Sequence, residues 1–131
     1  MSAALADAAV SLVGTPFRLR GRSPETGVDC VGLVAVTLAA IGRPVPPIPH
    51  YALRHLDTRA LFPLLGEAGF VETREPLANG DLLLLRPSSA QAHLAIVSGP
   101  ASIVQAHAGL GRVTLSPLPQ PHDIRARWRL T

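Results

Sequence analysis

The sequence predicts an α+β fold in one domain over residues 1–131, with N-terminal helices packed on a roughly five-stranded antiparallel sheet. Three observations predict it. Helical patterns are confined to the first half of the chain, and short strand patterns with tight turns fill the second half. The apolar fraction of 47% is ample for a buried core. Aromatic residues are few, so Leu, Val, Ala and Ile must fill most of that core.

The elements follow in order. Ser2 can cap a first helix running to about Val13, which Gly14-Thr15-Pro16 ends. The segment from Phe17 to Val28 is polar, Arg-rich and punctuated by glycine, which predicts a loop. Asp29 can cap a second helix from Cys30 to about Ile41. Gly42 suits its C′ position and Pro44 prevents continuation. This helix is apolar nearly all round and therefore belongs in the middle of a domain. Four prolines between Pro44 and Pro49 predict an extended surface stretch. Asp57 begins a third, amphipathic segment through Leu61, Leu64 and Leu65 to Gly66 or Gly69. Asn79-Gly80-Asp81 is a turn signal. Strands are expected over Leu82–Arg86, His93–Ser98, Ser102–Ala106, Arg112–Leu115 and Ile124–Leu130.

The charge of +3 is carried by arginine alone, because the chain holds no lysine. The absence of Lys reads first as GC-rich coding. Arg18, Arg20 and Arg22, and again Arg125, Arg127 and Arg129, read as a solvated loop and the outer face of a strand. Nucleic-acid binding would require a denser basic face and a recognisable motif, and is not expected. One cysteine cannot form an internal disulfide. The N-terminus lacks a basic region followed by a long apolar run, so no secretory leader is expected. No apolar stretch is long enough to span a bilayer. His50, His55 and His122 read as surface residues. No pair of ligand-type residues has metal-site spacing, and no metal or cofactor is expected.

Cys30 sits where a loop turns into a helix. First-turn amides and the helix dipole favour a thiolate there, lowering a thiol pKa from about 8.5 to roughly 3.5–7.5. Alone, such a cysteine is more often an inert core residue, and a lone strand histidine a half-buried structural one. The constellation changes that reading. His93, Ala95 and Val97 share one strand face, as do Ile103, Gln105 and His107. In a hairpin turning at Gly99-Pro100, positions 93 and 107 centre on residue 100 and lie nearly opposite each other. Cys30 would then be nucleophile, with its own N–H as an oxyanion donor. His93 would be base and acid, and His107 the group that orients the ring. Gln105 could share that orienting role, although a plain polar strand residue is the favoured reading.

Several blocks together resemble the NlpC family of papain-like cell-wall cysteine peptidases. They are Gly14-Thr15-Pro16-Phe17, Val28-Asp29-Cys30-Val31-Gly32-Leu33-Val34, Asn79-Gly80-Asp81-Leu82-Leu83, His93-Leu94-Ala95-Ile96-Val97 and Ile103-Val104-Gln105-Ala106-His107-Ala108. The resemblance implies a cysteine-bearing helix packed on an antiparallel sheet that bears the histidine. It implies Cys30 as nucleophile, His93 as base and His107 as third polar residue. Phe17, Asp29 and Gln105 fall among the expected substrate-contacting residues. Asp29 caps the helix, touches a substrate amine, or does both. Phe17 stands where Tyr is frequent, Val31 where Ser is frequent, and Ala92 where Ser or Thr is common. These departures bear on substrate preference.

The implied activity is hydrolysis of amide bonds in peptidoglycan stem peptides, often between γ-D-glutamyl and a diamino acid. The short form and the Pro-rich segment Pro44–Tyr51 resemble the subgroup carried on the tails of phages and gene transfer agents. That implies tail or hub proteins as partners. It also implies cytoplasmic synthesis and action at the periplasm or cell wall from a virion or gene-transfer-agent tail. The alternatives are a catalytically weak tail hub or plug protein that docks through the same fold, and a thiol acyltransferase or amidase on another substrate.

Overall fold

The computed structural model describes residues 2–49, 58–88 and 91–131. The expected helix start at Asp57 lies outside the described residues, together with His50, Tyr51, His55 and the capping side chain of Ser2. In chain order the elements are α1 (Ser2–Ser11), β1 (Arg22–Ser23), β2 (Gly27–Val28), α2 (Cys30–Ala40), α3 (Thr58–Ala68) and β3 (Phe70–Glu72). They continue with β4 (Leu82–Ser88), β5 (Gln91–Ser98), β6 (Ser102–His107), β7 (Arg112–Pro117) and β8 (Ile124–Leu130).

Helix α2 begins and ends where its local chemistry dictates. Asp29 holds extended backbone and accepts the Gly32 N–H at 2.8 Å, occupying one of the orphan donors of the first turn. At the other end Gly42 has φ +79°, the Gly42 N–H reaches Ala39 O, and the Arg43 N–H reaches Leu38 O. These two bonds form a Schellman cap, and Pro44 follows. Between the caps, Cys30, Val31, Leu33, Val34, Ala35 and Leu38 are all buried, as the all-round apolar pattern predicts. Buried Thr37 donates its hydroxyl to Leu33 O and Val34 O, which satisfies it inside the helix.

The main sheet has six strands in the order β3-β8-β4-β5-β6-β7, every pair antiparallel. The expected count was about five. The additional strand, Phe70–Glu72, is too short to show alternation and exists because β8 gives it a partner: Phe70 pairs with Leu130 and Glu72 with Trp128. The segment expected as a plain loop contains a second, two-stranded sheet, Arg22–Val28 and Ser23–Gly27.

Both faces of the sheet are covered. The helices pack on Leu82, Leu84, Leu94, Ile96, Val104, Ala106 and Trp128. A second cluster on the far face joins Leu83, Leu85, Ala95, Val97 and Ile103 beneath Leu77, Leu118 and Ile124. Double coverage explains why Leu82 to Leu85 is an unbroken apolar run and does not alternate. The Asn79-Gly80-Asp81 turn is present, with Gly80 at φ +88°.

Two arginines expected to be solvated are structural. Arg129 grips the fully buried Asp81 carboxylate through two bonds of 2.9 Å and reaches Glu75 at 2.7 Å. Arg127 donates to Arg74 O. A bidentate guanidinium–carboxylate pair of this kind fixes register as well as charge, and here it ties β8 to the turn before β4.

Candidate active site

Cys30 opens α2 and is 1% exposed, within the helix-side core cluster. Backbone N–H groups of Leu94, Val31 and Cys30 itself all face its sulfur. The Leu94 contact comes from the sheet. Ladder pairing between β5 and β6 runs from Ser98–Ser102 to Ile96–Val104. Beyond that pair Leu94 packs in the same buried cluster as Cys30, and its amide favours the thiolate. Sγ therefore meets β5 at the residue beside His93.

The thiol does not have the depressed pKa expected from its place at a helix start. Burial pushes it from 9.0 up to about 11, and the neighbouring Asp29 carboxylate adds to the rise. The three amides oppose the shift but do not overcome the loss of water around the sulfur. At neutral pH the resting thiol is protonated.

His93 is likewise held neutral: burial lowers its pKa, His107 adds to the lowering, and its bond to Gln105 acts against both. Alternation puts its side chain on the face of Ala95 and Val97, whereas Cys30 packs with Leu94 and Ile96 on the helix face. Among the described residues, no hydrogen bond joins Cys30 Sγ to His93. The expected imidazole–thiolate ion pair is absent from this resting arrangement, because the two groups approach β5 from different sides.

The hairpin register expected from the sequence is present, since residues 96 and 104, 97 and 103, and 98 and 102 pair around residue 100. The contact it delivers differs from the expected one. His93 Nε2 lies 2.9 Å from Gln105 Oε1. His107 turns into its own loop, where Nδ1 accepts the Leu110 N–H at 3.0 Å. An amide oxygen only accepts, so Nε2 carries the proton of His93 and Nδ1 keeps a lone pair. Gln105 is thus the side chain bonded to the His93 ring, and His107 is bonded within its own loop. The signal was available: Gln105 shares a strand face with His107 and lies diagonally across from His93.

Asp29 is fully buried. Besides capping α2 it accepts the Arg20 N–H at 2.7 Å and contacts Arg22 at 3.4 Å. Its role in this arrangement is to fix the helix start. Phe17 packs against the helix-side core and its N–H bonds Gly111 O, joining the loop before β1 to the turn before β7. Among the described residues no three His, Cys, Asp or Glu side chains converge as a metal site, and no helix is long and apolar enough to cross a membrane.

Residues 14–128 match the model of the NlpC/P60 family. The chain belongs to the NlpC/P60 family. Solved structures of that fold align over nearly the whole domain. The P60 domain of antigen MAP1204 from M. avium subspecies paratuberculosis is 21% identical, with 98% of this chain and 93% of that one covered and a TM-score of 0.68. The NlpC/p60 domain of the peptidoglycan hydrolase SagA is 22% identical, with 99% of each chain covered and a TM-score of 0.66. RipD from Mycobacterium tuberculosis, described as a non-catalytic NlpC/p60 domain protein adapted to peptidoglycan binding, is 17% identical. It covers 97% of this chain and 94% of its own, with a TM-score of 0.64. No match was found among curated proteins. This NlpC/P60 domain accordingly has the α+β, papain-like architecture of its family, with the cysteine at the start of a helix and the histidine on the sheet.

Proposed function

We propose that this NlpC/P60 domain is a cysteine peptidase that cleaves amide bonds in peptidoglycan stem peptides. The observation that carries the reading is the cysteine at the capped start of α2, packed in one cluster with Leu94, the strand neighbour of a histidine bonded through Nε2 to Gln105. In the reaction Sγ bonds to the substrate carbonyl carbon while the thiol proton passes to His93 Nδ1. That proton then goes to the departing amine, leaving a thioester. Water attacks the thioester, with His93 again taking and returning a proton, and the free thiol is restored. The reaction requires the His93 ring to reach the helix side of β5, since at rest the imidazole and the sulfur lie on different sides of that strand.

The proposed bond is the one between γ-D-glutamyl and a diamino acid. The proposed setting is a phage-like or gene-transfer-agent tail, with hub proteins as partners and the cell wall as the place of action. Resemblance in the proline-rich segment Pro44–Tyr51 supports this setting.

Burial of the thiol favours a second reading, in which the domain binds wall peptides or tail partners and does not cut. One experiment separates the two. Purified sacculi incubated with the wild-type chain should gain free amino groups, and Cys30→Ala and His93→Ala should release none. A wild-type chain that sediments with sacculi and releases nothing would establish the binding reading.

A further inference from the structure

We propose that Arg22 sets the reactivity of Cys30 by screening the buried charge of Asp29. The inference rests on Cys30 being a reactive thiol. Asp29 is fully buried and immediately precedes the sulfur-bearing residue. Its carboxylate is needed where it is, because it caps α2 through Gly32 and receives the Arg20 amide. Arg20 adopts φ +57° to present that amide, a left-handed conformation unusual for a residue with a side chain. The fixed negative charge disfavours a second negative charge on the neighbouring sulfur.

Arg22 supplies the counter-charge. Its Nη1 lies 3.4 Å from Asp29 Oδ1 and 3.1 Å from Gly21 O, and its side chain is about one-third exposed. The hairpin that carries it is seated hard against the helix. A Cβ at Gly32 would strike the Gly21 carbonyl oxygen and come within 3.2 Å of Arg22 Nη1. Among the described residues the charged and titratable groups on the elements packed about the helix start are Asp29 itself, Arg20 of the preceding turn, Arg22 of β1 and His93 of β5. His107 of β6 acts on His93. Among the described residues Arg22 bonds Asp29 and Gly21 O. It acts through Asp29 and is a positioning residue.

The test measures Cys30 alkylation by iodoacetamide on the full chain between pH 7 and 10. Within that range the rate follows the thiolate fraction. Arg22→Gln should slow labelling about three- to tenfold at every pH, the effect of removing one screened charge several ångströms away. Arg22→Lys should recover most of the rate. Asn at position 29 retains an acceptor for the Gly32 amide, so Asp29→Asn should label faster than wild type, and adding Arg22→Gln to it should change nothing further. Wild-type labelling by Arg22→Gln, or equal slowing in both backgrounds, would overturn the proposal. Should Arg22→Gln not fold, Asp29→Asn carries the test, because labelling no faster than wild type there contradicts it. The readout is thiol ionisation, so the result is independent of whether sacculi are cut.

Discussion

His93 Nε2 and Gln105 Oε1 lie 2.9 Å apart across β5 and β6, and this bond determines which imidazole nitrogen is left for chemistry. Gln105→Leu should free the ring to rotate and change tautomer, lowering kcat/KM for stem-peptide hydrolysis roughly 10–100-fold. His107→Ala should cost about threefold or less, because its Nδ1 is engaged by Leu110. Steady-state kinetics on a soluble muropeptide checks both. A larger loss from His107→Ala than from Gln105→Leu would restore His107 as the orienting residue.

Burial lowers the His93 pKa below 6.5. The folded state then binds this proton less readily than the unfolded one. Its contribution to stability is complete above about pH 6.5. It is lost as the pH falls from there through the folded value. Imidazole NMR should show His93 titrating below pH 6.5. Gln105→Glu should move the His93 midpoint upward, since a carboxylate favours imidazolium.

Cys30 behaves oppositely, with its pKa raised from 9.0 to about 11. Below pH 9 both folded and unfolded thiols are protonated and burial is undisturbed. Between 9 and 11 the unfolded thiol ionises first, so stability falls as pH rises. Urea unfolding at pH 8 and pH 10.5 should show wild type losing about 2 kcal/mol more than Cys30→Ala over that interval. Equal losses would mean that the thiol is better solvated than its 1% exposure implies.

Two glycines in helices should respond in opposite directions. An added Cβ at Gly32 meets the Gly21 carbonyl oxygen, whereas at Gly66 it meets nothing within 4 Å. Gly32→Ala should destabilise the domain by about 1–3 kcal/mol and displace the nucleophile helix from its hairpin. Gly66→Ala, on the exposed side of α3, should stabilise by about 0.5–1 kcal/mol. Thermal unfolding of the two variants distinguishes them. A stabilised Gly32→Ala would refute the close approach of hairpin and helix.

The Gly32 contact also shows the limit of local reading. That Cys30 and Gly32 sit two residues apart is visible in the chain, but the reason for the glycine is a carbonyl oxygen from a hairpin that the sequence presents as a loop. The β1–β2 ladder has two residues per strand, too few to generate a periodic signal. Phe70–Glu72 was hidden for the same reason.

The sequence by itself determined the two caps of α2, the antiparallel hairpin centred on residue 100, the order of helices before strands, and the shared face of His93, Gln105 and His107. Each follows from interactions between residues near in sequence or from the two-residue period of a strand. Only the tertiary structure decided how those pieces meet. It chose Gln105 over His107 because a diagonal contact depends on where each side chain turns. It raised the Cys30 thiol because burial depends on every element packed around the sulfur. It turned Arg22 and Arg129 from solvated cations into partners of buried carboxylates, because the aspartates that need them come from other parts of the chain.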